Sequence, residues 1–340
     1  MAETVLVTGG SGYLGGWCIV ELLRHGYEVR ASVRDLGREG EIRESLATEA
    51  EAGARLSFVC ADLGDEAGWS EAVAGCRYVL HVASPFPSVQ PDDPDELIVP
   101  AREGTLRVLG AALDAGAERV VVTSSVAAIR NDPGASGSDR TEANWTDSAN
   151  EALSPYTRSK TIAERAAWDF VEQRGQRDRL AVVNPGAILG PVLSDDRSYS
   201  LQVVERLMGG LPGVPKFGFG FVDVRDVAAL EIAAMTSPDA GGERFIAVNS
   251  FLWMSEVGEI LRNGLGSRGA KVTTRTVPNL AVRAMAIFDP SLRSILGDLG
   301  QRVDYSNEHA KSLLGWQPRP LEETIIDCAE SLIQAGVVKQ

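Results

Sequence analysis

Residues 4–16 read TVLVTGGSGYLGG, and this stretch decides the fold. Its first five residues are apolar or β-branched, which favours a buried β-strand. Glycines follow immediately at a spacing of three: Gly9, Gly12 and Gly15. Beyond them, apolar residues recur at helical spacing over residues 17–23. The stretch therefore predicts a strand, a glycine-rich turn and a helix in direct succession.

A strand, a glycine-rich turn and a helix in this order are the setting in which proteins bind dinucleotides. Glycines let the backbone approach a pyrophosphate closely. The N-terminus of the helix supplies amide donors and a positive potential for the phosphates. We therefore expect residues 4–24 to begin a dinucleotide-binding domain.

The next strand, predicted over residues 28–33, indicates which dinucleotide is bound. In NAD enzymes a carboxylate near the end of this strand binds the ribose 2′-hydroxyl, whereas an arginine accommodates the 2′-phosphate of NADP. Arg34 precedes Asp35 here, and Arg38 and Arg43 follow closely. The sequence therefore favours NADP over NAD.

Two more strands are predicted over residues 56–60 and 77–84. After the first of them, Asp62 either faces the adenine or caps a helix that begins near Asp65. The second strand runs into small residues that would let the sugars and phosphates lie close to the main chain. His81, within it, is interpreted as a packed core residue rather than an acid or base.

Hydroxyl side chains end the strand predicted over residues 119–125. Ligands of open α/β sheets bind beyond the C-terminal ends of the strands, so a hydroxyl here could hold a substrate oxygen. Ser124 and Ser125 point to opposite faces because they are neighbours on a strand, and this pattern does not choose between them. A sixth strand, over residues 180–183, leads into a segment that could meet the nicotinamide.

The stretch SPYTRSK, residues 154–160, carries the candidate acid–base group. Ser154 is a good helix N-cap and Pro155 suits the first helical position. Tyr156 and Lys160 then share one helix face, because they are four residues apart. A nearby ammonium favours the phenolate, so we expect Lys160 to lower the pKa of Tyr156. Such a tyrosine can exchange a proton with a carbonyl or alcohol oxygen.

Composition excludes several other classes of protein. The chain has 340 residues and a net charge of −14, which disfavours nucleic acid and anionic membranes as partners. Its four cysteines lack the spacing of a zinc site or a disulfide framework, and we expect no metal. No targeting or membrane-spanning segment is recognised, so we expect a cytoplasmic protein.

The regular alternation of strands and helices weakens beyond residue 190. The fold class expected is α/β, with a Rossmann-type doubly wound parallel sheet and a smaller C-terminal substrate lobe. Residues 1–190, with about 222–248 returning to them, are predicted to form the NADP-binding domain. Residues 191–221 and 249–340 are predicted to form the substrate-binding lobe.

Taken together, four motifs resemble a known superfamily: TGGSGYLG at residues 8–15, HVASP at 81–85, TSS at 123–125 and YTRSK at 156–160. They are similar to the extended short-chain dehydrogenase/reductase superfamily. Within it, the chain resembles the branch of dihydroflavonol 4-reductases, cinnamoyl-CoA reductases and yeast-type ketone/aldehyde reductases. Residues 33–35, 184–191, 221–227 and 314–320 also resemble that branch. The resemblance therefore covers nearly the whole chain.

The resemblance implies roles for individual residues. Ser125 would be the catalytic serine, Tyr156 the proton donor, and Lys160 a ribose ligand that lowers the tyrosine pKa. The implied contacts to NADPH are Gly9, Gly12, Tyr13, Leu14, Gly15, Arg34, Asp62, Leu63, Ala83, Ser84, Thr123, Tyr156, Lys160, Pro185 and Ile188.

The predicted function is the NADPH-dependent reduction of a ketone or aldehyde by a monomer or homodimer acting on a small molecule. A hydroxysteroid dehydrogenase or a sugar-nucleotide epimerase or dehydratase is an alternative on the same fold. A non-catalytic NADP-sensing protein is a third, from another class. Intact Tyr156 and Lys160 favour an enzyme over a sensor.

Overall fold

The computed structural model describes residues 3–85, 93–132, 139–194, 198–287, 292 and 295–338. Twelve strands are assigned within these ranges: β1 Thr4–Thr8, β2 Glu28–Val33, β3 Leu56–Cys60, β4 Tyr78–His81, β5 Arg119–Thr123, β6 Leu180–Pro185, β7 Ala187–Leu189, β8 Val214–Pro215, β9 Gly218–Asp223, β10 Arg244–Ala247, β11 Ser250–Trp253 and β12 Thr276–Val277.

Twelve α-helices are assigned within the same ranges: α1 Tyr13–Arg24, α2 Glu39–Leu46, α3 Trp69–Val73, α4 Asp95–Asp114, α5 Ala127–Arg130, α6 Pro155–Gln173, α7 Gln202–Met208, α8 Val224–Thr236, α9 Met254–Gly264, α10 Asn279–Met285, α11 Glu308–Leu314 and α12 Leu321–Gln334. Each helix in the described ranges is too short or too polar to span a bilayer.

Seven strands form one parallel sheet in the order β10-β6-β5-β4-β1-β2-β3. From β1 the chain adds β2 and β3 on one side of the sheet and then β4, β5, β6 and β10 on the other side. The strand order therefore reverses at β1, between its neighbours β2 and β4. Ligands of such sheets bind where the strand order reverses, beyond the C-terminal ends of the strands. The prediction of an α/β fold with a doubly wound parallel sheet is confirmed.

Both faces of the sheet are covered. Val120 and Val122 of β5 join a buried cluster with residues of α3, α4 and α6. The hydroxyl of Thr123, one position further along the strand, reaches α8 instead. Adjacent side chains on a strand point to opposite faces, so α8 lies on the other side of the sheet from α4 and α6. Strands buried on both faces explain the nearly continuous apolar runs in the sequence.

The chain divides into two compact units. One unit comprises residues 1–185, 225–247 and 306–317, and contains the parallel sheet. The segment 306–317, which the sequence assigned to the substrate lobe, belongs to this unit. Its residue His309 stacks on Phe245 of β10, and the indole of Trp316 donates to the carbonyl of Asp226 at 2.9 Å.

The second unit comprises residues 186–224, 248–305 and 318–340. It contains a three-stranded sheet in the order β11-β9-β7, in which β9 pairs antiparallel with β11 and parallel with β7. Helices α9 and α12 pack on each other beside this sheet. That this unit binds the substrate stays a prediction.

Candidate active site

The glycine-rich turn joins β1 to α1 and is built on close backbone contacts. Gly9 has a φ of +70°, a conformation that favours glycine, and its carbonyl accepts from the N–H of Gly12 at 2.9 Å. A Cβ on Gly15 would lie 2.2 Å from the carbonyl oxygen of Gly9. The turn therefore needs glycine at these positions in order to bring the chain into the helix.

Helix α1 begins directly after this turn, at Tyr13 and Leu14, with Gly12 as its N-cap. The first amides of a helix have no partner within it and form a site for anions. No side chain of Gly12 occupies these amides, because glycine has none. The turn and the start of α1 could therefore hold the diphosphate of a dinucleotide.

The end of β4 lies against the same turn. The hydroxyl oxygen of Thr8 accepts from the backbone N–H of Ala83 at 3.0 Å and lies 2.9 Å from Nδ1 of His81. Burial lowers the pKa of His81 to about 3, and the Lys160 ammonium acts in the same direction. His81 is therefore neutral, and it hydrogen-bonds the Thr8 hydroxyl that holds the backbone of Ala83. Its interpretation as a packed, hydrogen-bonded residue is confirmed.

Three arginines follow β2, and their partners distinguish them. Arg38 donates to both carboxylate oxygens of Glu41, at 2.7 and 3.1 Å. Arg43 pairs with Glu39 at 2.8 Å and donates to the carbonyl of Leu56.

Arg34, the first residue after β2, is exposed and forms no ion pair with a described residue. The carboxylate of Asp35 accepts from the N–H of Gly37 at 2.8 Å and closes a local turn. Arg34 thus differs from Arg38 and Arg43 in having no carboxylate partner among the described residues, and its contact with a 2′-phosphate stays a prediction.

Asp62 and Leu63 form the loop after β3. The carboxylate of Asp62 accepts from the N–H of Gly64 at 2.7 Å, which closes a turn. The expected cap on a helix beginning near Asp65 is wrong, because the helix begins at Trp69. An adenine contact of Asp62 stays a prediction. The side chain of Leu63 packs against the core of the sheet.

Tyr156 and Lys160 lie on α6, whose start matches the sequence prediction. Ser154 caps the helix by accepting from the N–H of Thr157 at 3.1 Å, and Pro155 is its first residue. The ammonium of Lys160 lies 3.4 Å from the carbonyl oxygen of Thr123, at the C-terminal end of β5. The helix thus directs the tyrosine–lysine face towards the edge where the strands of the sheet end.

The structure distinguishes Ser124 from Ser125. The hydroxyl of Ser124 is buried and donates to Glu164 at 2.5 Å. The hydroxyl of Ser125 hydrogen-bonds Tyr156 and accepts from the N–H of Ala127 at 3.1 Å. Of the two serines, Ser125 is thus the one that is hydrogen-bonded to the phenol, and its catalytic role stays a prediction.

The pKa of Tyr156 departs from the sequence expectation. Burial raises this pKa, and the hydrogen bond with Ser125 offsets only part of the rise. The phenol is therefore protonated at neutral pH. Burial also lowers the pKa of Lys160 to about 8, against the opposing effect of the carboxylates of Glu164 and Glu231. Lys160 is consequently a cation at neutral pH.

A buried hydrogen-bond network under the serines was missed from the sequence. The carboxylate of Glu164 accepts from Ser124, from Nδ2 of Asn184 at 2.8 Å and from Nε of Arg244 at 2.6 Å. Asn184 also donates to the carbonyl of Ser125 at 3.1 Å. One signal could have found Glu164: it stands four residues after Lys160, on the same helix face.

The remaining predicted cofactor contacts fall in both units. The hydroxyl of Thr123 is held by Glu231 at 2.6 Å, and the carbonyl of Pro185 accepts from the N–H of Val126 at 3.0 Å. Ile188 lies on β7 in the second unit, where its carbonyl accepts from Ser200 at 2.6 Å. The proposed contact of each with a cofactor stays a prediction.

Known proteins share this fold and chain organisation. The structure is similar to that of the yeast methylglyoxal/isovaleraldehyde reductase Gre2 solved with NADPH, with a TM-score of 0.80 and 25% identity over 99% of this chain and 100% of that one. Cinnamoyl-CoA reductase CAD2 of Medicago truncatula is 34% identical over 98% of this chain and 96% of its own length. Tetraketide alpha-pyrone reductase 1 of Arabidopsis thaliana is 32% identical over the same shares.

A match to a protein-family model shows the family to which the chain belongs. The model of the NAD dependent epimerase/dehydratase family matches residues 5–248, which include the glycine-rich turn, the two serines after β5 and the tyrosine–lysine pair of α6. The resemblance inferred from the sequence is thereby confirmed. The chain belongs to the NAD dependent epimerase/dehydratase family, within the extended short-chain dehydrogenase/reductase superfamily, and is an enzyme of the oxidoreductase class.

Proposed function

We propose that this protein reduces the carbonyl group of a ketone or an aldehyde to an alcohol and uses NADPH as its cofactor. Tyr156 donates a proton to the carbonyl oxygen, Ser125 hydrogen-bonds the same oxygen, and Lys160 binds the cofactor ribose. The observation that carries the proposal is the hydrogen bond between Ser125 and the protonated Tyr156, in the same unit as the glycine-rich turn.

The residues around the glycine-rich turn fit a dinucleotide. The N-terminus of α1 offers backbone amides and a positive potential to a diphosphate, and Arg34, which forms no ion pair with a described residue, offers its guanidinium to a 2′-phosphate. The relatives named above are reductases, and the structure of the yeast enzyme was solved as a complex with NADPH. When bound, the cofactor supplies the hydride, and the protein supplies position and electrostatics.

Each catalytic side chain has a separate task in this proposal. Negative charge develops on the carbonyl oxygen during reduction, and a hydroxyl beside that oxygen stabilises it. The N–H of Ala127 donates to the Ser125 oxygen, which leaves the serine proton free to be donated elsewhere. The raised pKa of Tyr156 keeps its proton in place until the substrate oxygen becomes basic enough to take it.

A substrate panel tests the proposal. The purified protein is mixed with NADPH or NADH and with ketones, aldehydes, β-ketoesters and steroids, and cofactor oxidation is followed by absorbance. We expect carbonyl-dependent oxidation that is faster with NADPH than with NADH. Tightly bound NAD⁺ in the purified protein, with no carbonyl-dependent oxidation of NADPH, would contradict it and favour an epimerase.

Replacing Arg34 by Gln tests the cofactor preference. A hydrogen bond to a charged group contributes about 1.5–3 kcal/mol, so kcat/KM with NADPH should fall about 10–100-fold. With NADH, which has no 2′-phosphate, kcat/KM should change little. Steady-state kinetics with both cofactors measure the two effects.

Arg38→Gln is the matched control, because Glu41 already neutralises that guanidinium. It should alter the preference between NADPH and NADH much less than Arg34→Gln does. Equal losses with both cofactors in Arg34→Gln would show that Arg34 does not recognise the 2′-phosphate.

A further inference from the structure

Glu231 is a buried acid that the proposed mechanism does not use. It lies on α8 with a side chain that is fully enclosed. Its Oε1 accepts from the hydroxyl of Thr123 at 2.6 Å. Its Oε2 is buried and has no hydrogen-bond partner among the described residues. A buried carboxyl group with one unsatisfied oxygen is costly, so its presence calls for a physical reason.

A short path connects Glu231 to Lys160. The hydroxyl of Thr123 bonds Glu231 on one side of the residue, and the carbonyl of Thr123 lies 3.4 Å from the ammonium of Lys160 on the other. The two groups also affect each other's ionisation, because Glu231 raises the pKa of Lys160 and Lys160 lowers the pKa of Glu231. Thr123 is therefore a fixed spacer between an acid and the proposed catalytic cation.

We propose that Glu231 is a positioning residue that holds Lys160 in place through Thr123 and keeps it protonated on the alkaline side of neutrality. The inference rests on the proposed function, in which Lys160 must be a cation. At neutral pH the pair carries two protons. When the first leaves as the pH rises, it comes from Glu231, because the resulting carboxylate is attracted to the ammonium.

The ionisation of the two groups agrees with this role. Burial raises the pKa of Glu231 to about 8, against the opposing effects of the Thr123 hydrogen bond and the Lys160 charge. Lys160 has a pKa of about 8 as well, lowered by burial. Two groups that titrate in the same range share their protons as a pair.

Three other titratable groups near the pair, His81, Cys18 and Tyr156, keep a constant charge from about pH 6 to about pH 9. Burial holds the pKa of His81 near 3 and that of Cys18 far above its usual value. Burial also raises the pKa of Tyr156. Glu164, which lies on the same helix as Lys160, forms an ion pair with Arg244. Among the groups here whose pKa is shifted by burial, Lys160 and Glu231 are therefore the two that titrate in this range.

Glu231→Gln tests the inference, since its amide oxygen still accepts from Thr123 while the carboxylate is lost. Without the carboxylate, the first proton must leave Lys160 itself, so the pKa of Lys160 falls. The alkaline limb of the kcat/KM profile should then move down by about one pH unit. The ratio of wild-type to variant kcat/KM should grow about tenfold between about pH 6 and about pH 9.

A direct titration separates this charge effect from a structural one. The chain has five lysines, so NMR of side-chain-labelled lysine, assigned with Lys160→Arg, reports the pKa of Lys160. This pKa should be about one unit lower in Glu231→Gln than in the wild type. Glu231→Asp keeps a carboxylate and should restore much of the wild-type value. Glu21→Gln, which removes a carboxylate at the surface of α1, should leave it unchanged.

Parallel pH profiles together with an unchanged pKa of Lys160 in Glu231→Gln would overturn the inference. If Glu231→Gln does not fold, Glu231→Asp is measured instead. An alkaline limb of its kcat/KM profile at the wild-type pH supports the role of the carboxylate, and an alkaline limb shifted down by a full pH unit opposes it. If the wild type oxidises no NADPH with any carbonyl compound, the proposed function fails. The lysine titration still decides whether Glu231 sets the charge of Lys160.

Discussion

Tyr156→Phe is expected to lower kcat for carbonyl reduction about 10²–10⁴-fold, the usual contribution of a general acid. Phenylalanine keeps the ring but removes the proton that the substrate oxygen needs, as well as the hydrogen bond with Ser125. NADPH should still bind, because the glycine-rich turn and Arg34 are untouched. Stopped-flow or steady-state assays give kcat, and fluorescence titration gives the affinity for NADPH.

Tyr78→Phe is the matched control for this experiment. Tyr78 begins β4, at the opposite end of the strand from the site, and its ring packs under the guanidinium of Arg77 at 5.0 Å. Its loss of one hydroxyl should leave kcat close to that of the wild type. Near-normal turnover in Tyr156→Phe would remove the tyrosine from the mechanism.

Glu164→Ala is expected to lower the free energy of unfolding by about 3–5 kcal/mol, the cost of breaking a buried ion pair by removing one partner. The side chain of Arg244 is only 8% exposed, so its charge would remain buried without a counterion. Ser124 and Asn184 would lose their acceptor in addition. Urea unfolding followed by circular dichroism measures the change.

An ion pair of the same length at the surface provides the control. Arg174 and Asp114 are also 2.6 Å apart, but their side chains are 37% and 69% exposed. Asp114→Ala should cost at most about 1 kcal/mol, because water screens both charges. A similar small cost for Glu164→Ala would mean that the protein interior accommodates the unpaired Arg244.

Features with a short spacing along the chain could be predicted from the sequence. The glycines at residues 9–15 are required by a local turn, and helical periodicity places Tyr156 and Lys160 on one face. Ser154 and Pro155 fix the start of that helix through bonds within a single turn. Helical periodicity also places Glu164 on this face, one turn after Lys160. The same reasoning would have found Glu164 if it had been continued for that additional turn.

Features that depend on pairing between distant segments could not be predicted in this way. Adjacent serines at the end of β5 are equivalent in the pattern, and only the packing of α6 commits Ser124 to Glu164 and Ser125 to Tyr156. Glu231 meets Thr123 from 108 residues away, and Arg244 meets Glu164 from 80. A single sequence carries no periodicity over such separations.

By itself, the sequence determined three features: the strand, turn and helix at its start, the succession of strands and helices along the first 190 residues, and the tyrosine–lysine pair on one helix face. Each of them depends on the conformational preferences of neighbouring residues. Tertiary structure decided which serine faces the phenol, which arginine after β2 has no carboxylate partner among the described residues, and in which direction the pKa of Tyr156 moves. Lys160 alone would lower that pKa, whereas the enclosed site raises it. The physical reason is that burial is created only when distant segments pack together and exclude water.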